Sequence, residues 1–260
     1  PCFNDMAHDR VGRIHLPIAP RCNIQCNFCE RNMCAALTMQ HPGWTAKPLS
    51  VAEAVDLIRS IMRMKQADYF FVVGVAGPGD PLANDQTFEA LNLIHKEYPH
   101  LLKCISTNGL LLEDKLADII DVGIRALTVT INAADSHVGK NIYSWASYGG
   151  TIYRGKEAVS LLLAKQFSGV RKAVDAGLTI KVNTVLIPGV NDKQMPKLAM
   201  RIKEAGAKIM NIMPLIPSGK MKNRPGPSCD ELRKARQECE RIIPQFRHCE
   251  QCRADIIYLP

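Results

Sequence analysis

Two hydrophobic rhythms alternate along this chain. Short apolar runs rich in β-branched residues are each followed by a longer stretch with apolar positions at helical spacing. Strands are expected at Arg13–Ala19, Tyr69–Ala76, Lys103–Ser106, Ala126–Asn132, Thr179–Ile187 and Lys208–Leu215. Tyr69–Ala76 is apolar throughout, as in a parallel strand buried on both faces. A helix should start at Ser50, with Glu53 completing a capping-box pattern, and run to Met64. Further helices are expected at Asn84–Tyr98 before Pro99, at Glu113–Asp121 before Gly123, and at Lys156–Ala176 with a break near Gly169. Lys193–Ala205 and Asp230–Ile243 complete the series, and Asp255–Leu259 is long enough for one more strand. Strict alternation predicts an α/β fold: a parallel sheet with right-handed crossovers, and six units in 260 residues suit a complete or partial TIM-type barrel. In such folds the chemistry lies at the C-terminal ends of the strands.

Composition narrows the field. Hydrophobic residues make up 47% and charged residues 22%, enough apolar surface to exclude a disordered chain. No apolar run is long enough to span a bilayer and no signal peptide opens the chain, so a cytoplasmic protein without membrane contact is expected. Starting with Pro1 rather than Met implies a short N-terminal piece outside this numbering. Ten cysteines without a secretion signal point to metal before disulfides. The formal charge of +8 counts thiols as neutral, and thiolates on metal would reduce it. Lys and Arg are scattered, and the densest run, Lys220–Arg224, reads as a solvated loop, so no nucleic-acid partner is expected.

The first strand runs into Cys22-Asn23-Ile24-Gln25-Cys26-Asn27-Phe28-Cys29, a C-x3-C-x2-C loop. Three thiolates on one loop can hold three irons of a cubane and leave the fourth open to a chelating substrate. Structural zinc, which wants four ligands, and a disulfide beside one free thiol are the plainer readings of the same residues. Turn sequences follow other strands. They are Ala76-Gly77-Pro78-Gly79-Asp80-Pro81, Ser106-Thr107-Asn108-Gly109, the strand end at Asn132, Ile187 to Asp192, and Met213-Pro214-Leu215.

The cysteine loop, with Phe28 in its aromatic position, resembles the signature of the radical S-adenosylmethionine (radical SAM) superfamily. The resemblance implies a [4Fe–4S] cluster on Cys22, Cys26 and Cys29 that binds SAM. It implies SAM contacts at Gly77, Gly79 and Asp80, the last paired with the SAM ammonium, and at Phe28, Ser106, Thr107, Asn108, Asn132, Ile187 and Met213. A narrower resemblance adds Pro1-Cys2-Phe3, Glu30-Arg31-Asn32 and Cys249-Glu250-Gln251-Cys252-Arg253-Ala254-Asp255. Together these are similar to the NifB family of nitrogenase cofactor maturases, in its short form without a NifX-like domain. That family's properties imply two further [4Fe–4S] clusters as substrates, one on His15, Cys34 and Cys104, the other on Cys2, Cys249 and Cys252. They also imply one barrel domain over 1–260, with cysteine-bearing ends at about 1–12 and 244–260 covering its mouth. Glu30 is a candidate labile ligand or proton carrier, or a surface ion-pair partner.

The implied activity is methylation and fusion of the two clusters with carbide insertion, giving an [8Fe–9S–C] precursor of the nitrogenase cofactor. The implied partners are a ferredoxin- or flavodoxin-type electron donor and scaffold or carrier proteins of nitrogenase assembly, in an anaerobic cytoplasm. Cys229 and Cys239 are expected to carry no chemistry, and His8, His41, His95, His100, His137 and His248 to lie on the surface or in loops, with His248 a candidate support for Cys249. Rival readings are a peptide-modifying radical SAM enzyme with auxiliary clusters, a zinc or nucleic-acid-binding protein, and a plain iron–sulfur carrier.

Overall fold

The computed structural model describes residues 2–3, 10–39, 41–64, 71–249 and 251–258. Expectations for His8, for the start of the second strand at Tyr69, for Glu250 and for Leu259 lie outside them. All six predicted parallel strands are present: β1 (Gly12–His15), β3 (Phe71–Val75), β4 (Leu102–Thr107), β5 (Ala126–Thr130), β8 (Thr179–Leu186) and β9 (Ile209–Pro214). They stand side by side in that order, and β10 (Ile257–Tyr258) adds an antiparallel edge against β1. The sheet is therefore an open, partial barrel. Residue Gln245 bridges Met210 at the other edge. The C-terminal segment thus leaves the sheet beside β9 and rejoins it beside β1.

Helices lie where the apolar spacing placed them. They are α1 (Val51–Arg63), α2 (Asp85–Glu97), α3 (Leu116–Asp121), α5 (Gly155–Asp175), α6 (Met195–Glu204) and α7 (Cys229–Glu240), with a single turn α4 (Ser136–Gly139). Ser50 and Glu53 form the expected capping box on α1, and Ser228 and Glu231 form a second on α7. Helix α5 is unbroken at Gly169. A Cβ there would meet Leu112 Cβ at 2.9 Å, so the glycine serves close packing rather than a kink. No helix among the described residues is long and apolar enough to cross a membrane.

A three-stranded antiparallel sheet was not foreseen: β2 (Ile24–Cys26), β6 (Tyr143–Tyr148) and β7 (Thr151–Arg154). Strand β2 is the middle of the cysteine loop, which the sequence reading left as irregular. Strands β6 and β7 turn through Gly149-Gly150, both at positive φ, a two-residue hairpin loop. The hairpin makes β2 a paired strand and so fixes the direction of the cysteines.

The turn after β3 is pressed against the stem between β1 and the cysteine loop. Gly79 N–H donates to the Ala19 carbonyl at 2.5 Å and Asp80 N–H to the Arg21 carbonyl at 2.8 Å. Asn84 receives a hydrogen bond from Arg21 N–H and donates to its carbonyl. A Cβ at Gly79 would lie 2.1 Å from the Arg21 carbonyl oxygen, which is backbone and cannot swing away. Gly79→Ala should therefore cost about 3 kcal/mol or more of stability, the upper range for overpacking. Urea unfolding of the iron-free chain measures it, and an unchanged midpoint would show that the turn is not confined as described.

Candidate functional site

The strand ends of the parallel sheet surround a cavity of about 300 Å³. Its walls include Cys2, His15, Phe28, Cys29, Glu30, Cys104, Ser106, Met213, Cys249 and Cys252 from the sequence-predicted set. They also include Phe3, part of the Pro1-Cys2-Phe3 motif, His41, expected on the surface or in a loop, and Trp44, Lys181 and Asn183, which the sequence does not single out.

The cysteine loop is held from three sides. Ser147 N–H donates to the Asn23 carbonyl, and Asn27 N–H to the Ile142 carbonyl. Gln25 donates to the carbonyls of Cys26 and Cys29, and Arg31 bonds the Gln25 side chain and the Ile24 carbonyl. Gly219 N–H donates to Glu30 Oε1 at 3.0 Å, so Glu30 anchors the loop after β9 while facing the cavity rim. The structure gives Glu30 no surface ion pair among the described residues.

Burial dominates the electrostatics of the three thiols. It pushes Cys22 up to about 11, with Asp80 adding to the effect. It pushes Cys26 well above the ordinary thiol range, and the neighbouring Cys29 and Cys22 push it further. Cys29 is raised too, against the guanidinium of Arg31. Three buried sulfurs close enough to oppose one another's ionisation form a set that only a bound cation makes favourable as thiolates. The donor set therefore fits an iron–sulfur cluster. Asn108 Nδ2 lies 3.8 Å from Cys22 Sγ, a sulfur-directed donor of the kind that tunes such clusters.

Three neighbouring strands place His15, Gly74 and Cys104 in one register row. A Cβ on Gly74 would meet the His15 ring at 3.0 Å and Cys104 Sγ at 3.2 Å, so the glycine leaves the gap into which both side chains turn. His15 Nδ1 is 3.0 Å from the Arg253 carbonyl, which can only accept. The proton is thus on Nδ1 and the Nε2 lone pair is free for a metal. Burial lowers the His15 pKa and keeps the ring neutral. Burial pushes the Cys104 thiol up to about 12, with Cys2 contributing, while Lys181 draws it down. Burial also pushes Cys252 up to about 11, opposed by Arg13 and assisted by Cys2 and Cys249. Cys249 Sγ lies 3.7 Å from Met213 Sδ.

Cys34 is not brought to this group. It is exposed on the loop between β2 and α1 and does not line the cavity. That loop is clamped by Arg253-Ala254-Asp255. Arg253 donates to the carbonyls of Ala36 and Met39, Ala254 N–H to Trp44, and Asp255 accepts from Thr45 and Ala46. One short motif therefore ties the Cys34 loop, the Cys249–Cys252 segment and the His15 ring together.

Other predicted contacts work within the protein. Asp80 is buried and accepts from Leu82 N–H in its own turn and from Thr107 Oγ1 and Asn108 N–H at the end of β4. Gly77 precedes Pro78 through a cis peptide bond. Asn132 is fully buried, bonding Tyr143 Oη and accepting from Val185 N–H. Ile187 is buried and donates its N–H to Asn191. Cys229 is exposed at the start of α7 and Cys239 is buried in the core, so neither faces the cavity.

The Radical SAM superfamily model matches residues 16–202. The fold agrees: a radical SAM methyltransferase from Sphaerobacter thermophilus superposes with a TM-score of 0.57 at 18% identity, covering 91% of this chain and 64% of that one. With its partial barrel and three-cysteine loop, the protein belongs to the radical SAM superfamily. Two curated relatives carry the description "FeMo cofactor biosynthesis protein NifB". The one from Methanocaldococcus infernus is 45% identical over all of this chain and 85% of its own length. The one from Methanocaldococcus jannaschii is 44% identical with the same coverage. Within the superfamily, the chain belongs to the NifB family.

Burial sets a pH dependence at Asp80. It raises the carboxyl to about 6 from 3.8, over the opposition of its three donors. Between those values the folded chain holds a proton that the unfolded chain has released, so this group's contribution to stability falls as pH rises from about 4 to about 6. Asp80→Asn removes the titration and turns an N–H toward donors. The stability gap between wild type and variant should narrow as pH rises across that window, read by urea unfolding of iron-free chains. A gap independent of pH would contradict the buried, proton-binding carboxyl.

Proposed function

We propose that this chain is a radical SAM maturase that methylates and fuses two [4Fe–4S] clusters, with carbide insertion, into the [8Fe–9S–C] precursor of the nitrogenase cofactor. The observation that carries the reading is the shared cavity. His15, Cys104, Cys2, Cys249 and Cys252 line it beside the three-cysteine loop, more donors than one SAM-bound cluster requires. The description of the curated relatives as cofactor biosynthesis proteins supports the product class.

Cys22, Cys26 and Cys29 would hold the SAM cluster, which when bound and reduced supplies the electron that cleaves SAM to methionine and a 5′-deoxyadenosyl radical. The chain's own residues position and protect. Phe28 and Trp44 give the cavity apolar walls that exclude water. The Gly77–Gly79 turn, Asp80, Ser106, Thr107, Asn108, Asn132, Ile187 and Met213 form the SAM side, several of them by bracing the strand ends rather than by contact. His15, Cys34 and Cys104 bind one substrate cluster, and Cys2, Cys249 and Cys252 bind the other. Three protein ligands for each leave coordination free for release. Glu30 at the rim serves as labile ligand or proton carrier. The two chain ends, about 1–12 and 244–260, cover the mouth of a single barrel domain. A ferredoxin- or flavodoxin-type donor and nitrogenase-assembly carriers are the partners, in an anaerobic cytoplasm.

Two variants test the assignment. Cys26→Ala should abolish 5′-deoxyadenosine formation while iron remains bound elsewhere, and retained cleavage would contradict the loop assignment. His15→Ala should remove nitrogen hyperfine coupling from one auxiliary cluster in pulsed EPR, and an unchanged signal would exclude the ring as a ligand.

A further inference from the structure

Lys181, third residue of β8, lines the cavity inside the barrel. Register places it beside Thr128, which is itself paired with Ser106, one inward-facing row nearer the strand ends than Cys104. It lines the cavity, yet only 3% of the residue is exposed. Its Nζ sits 5.3 Å from the centre of the Phe3 ring and 5.1 Å from that of Phe246. Two aromatic faces hold the ammonium in place but do not neutralise it. Among the described residues no carboxylate or carbonyl accepts a hydrogen bond from it, and it is the one lysine or arginine in the cavity wall. Glu30, the carboxylate in that wall, is spent on Gly219 at the rim.

A buried cation without a counter-charge is costly, and folded proteins pair such groups or give them a ligand. The ligand's chemistry follows from the surroundings. Lys181 acts electrostatically on His15 and Cys104, whereas the cation acting on the three loop thiols is Arg31. The ammonium therefore serves the deep part of the cavity rather than the SAM cluster. A [4Fe–4S]2+ core on two thiolates and the neutral His15 imidazole is uncharged and becomes an anion on reduction, and one on three thiolates is an anion already. Walls such as Val75, Ile105 and Val185 leave little water to screen it.

We propose that the Lys181 ammonium is the fixed counter-charge that holds an anionic iron–sulfur species in this cavity. It is a ligand-binding residue that adds charge selection to the sulfur and nitrogen donors. The proposal rests on the reading that substrate clusters occupy the cavity.

The test compares wild type, Lys181→Arg and Lys181→Met, each reconstituted anaerobically with ferrous iron and sulfide. Iron content, the rate of iron loss to a chelator and the midpoint potentials of the clusters are measured. Wild type should hold iron beyond the roughly four atoms of the SAM cluster. Lys181→Met should lose that extra iron about tenfold faster or more, as expected when one side of a buried charge pair is removed. Its auxiliary midpoint potential should fall, because the reduced form loses its stabilising charge. The SAM-cluster signal and its response to SAM should persist, which also shows that the variant folds. Lys181→Arg, which keeps the charge, should restore both iron retention and potential. Equal retention and equal potential in Lys181→Met would overturn the proposal, as would loss in Lys181→Arg matching that in Lys181→Met. A wild-type chain with no iron beyond the SAM cluster would overturn the cavity reading itself, and the proposal with it.

Discussion

Burying sulfur is the constraint on which the rest of this structure depends. A thiol in an apolar interior resists ionisation, and several together resist it more, yet metal binding needs thiolates. In this chain Cys22, Cys26 and Cys29 share one half-buried loop in which burial raises all three thiols, and Cys104 and Cys252 are pushed up in the same way. Such a fold is poised for positively charged metal to complete it. The surrounding architecture can be understood as what keeps these sulfurs in place before metal arrives.

Three devices do this. The β6–β7 hairpin turns the cysteine loop into a paired strand. Asp80 and Asn84 bind the turn after β3 to the stem of the loop and to the end of β4. Arg253 and Asp255 fasten the C-terminal segment to the 35–46 loop, and the Arg253 carbonyl sets the His15 tautomer. The second and third rest on polar contacts between residues distant in sequence, the kind that specifies one arrangement while being sensitive to single changes. The glycine at 74 supplies the complementary feature, an absent side chain that leaves room between two donors.

Much of this was legible in the sequence, and what was missed has physical reasons. The six parallel strands and their helices follow from hydrophobic period alone, because both faces of each strand are covered. The hairpin was missed although Gly149-Gly150 between aromatic-rich runs is a recognisable turn signal. Gly169 suggested a break because the close approach of Leu112 is a tertiary fact. The protein donors that hold Asp80 follow from no local pattern. Lys181 left a readable trace, a charge inside the β-branched run Thr179–Leu186. Cys34 stands apart from the donors it was grouped with: it is exposed on a loop whose Ala36 and Met39 carbonyls are held by Arg253.

The central claim is that three loop thiolates occupy three irons and leave the fourth for the amino and carboxylate groups of SAM. Pulsed EPR of the reduced protein with SAM labelled by nitrogen-15 at its amine examines that corner directly. The account predicts a nitrogen-15 hyperfine coupling on the loop cluster that vanishes without SAM. A reduced loop cluster whose spectrum is the same with and without the labelled molecule would contradict it.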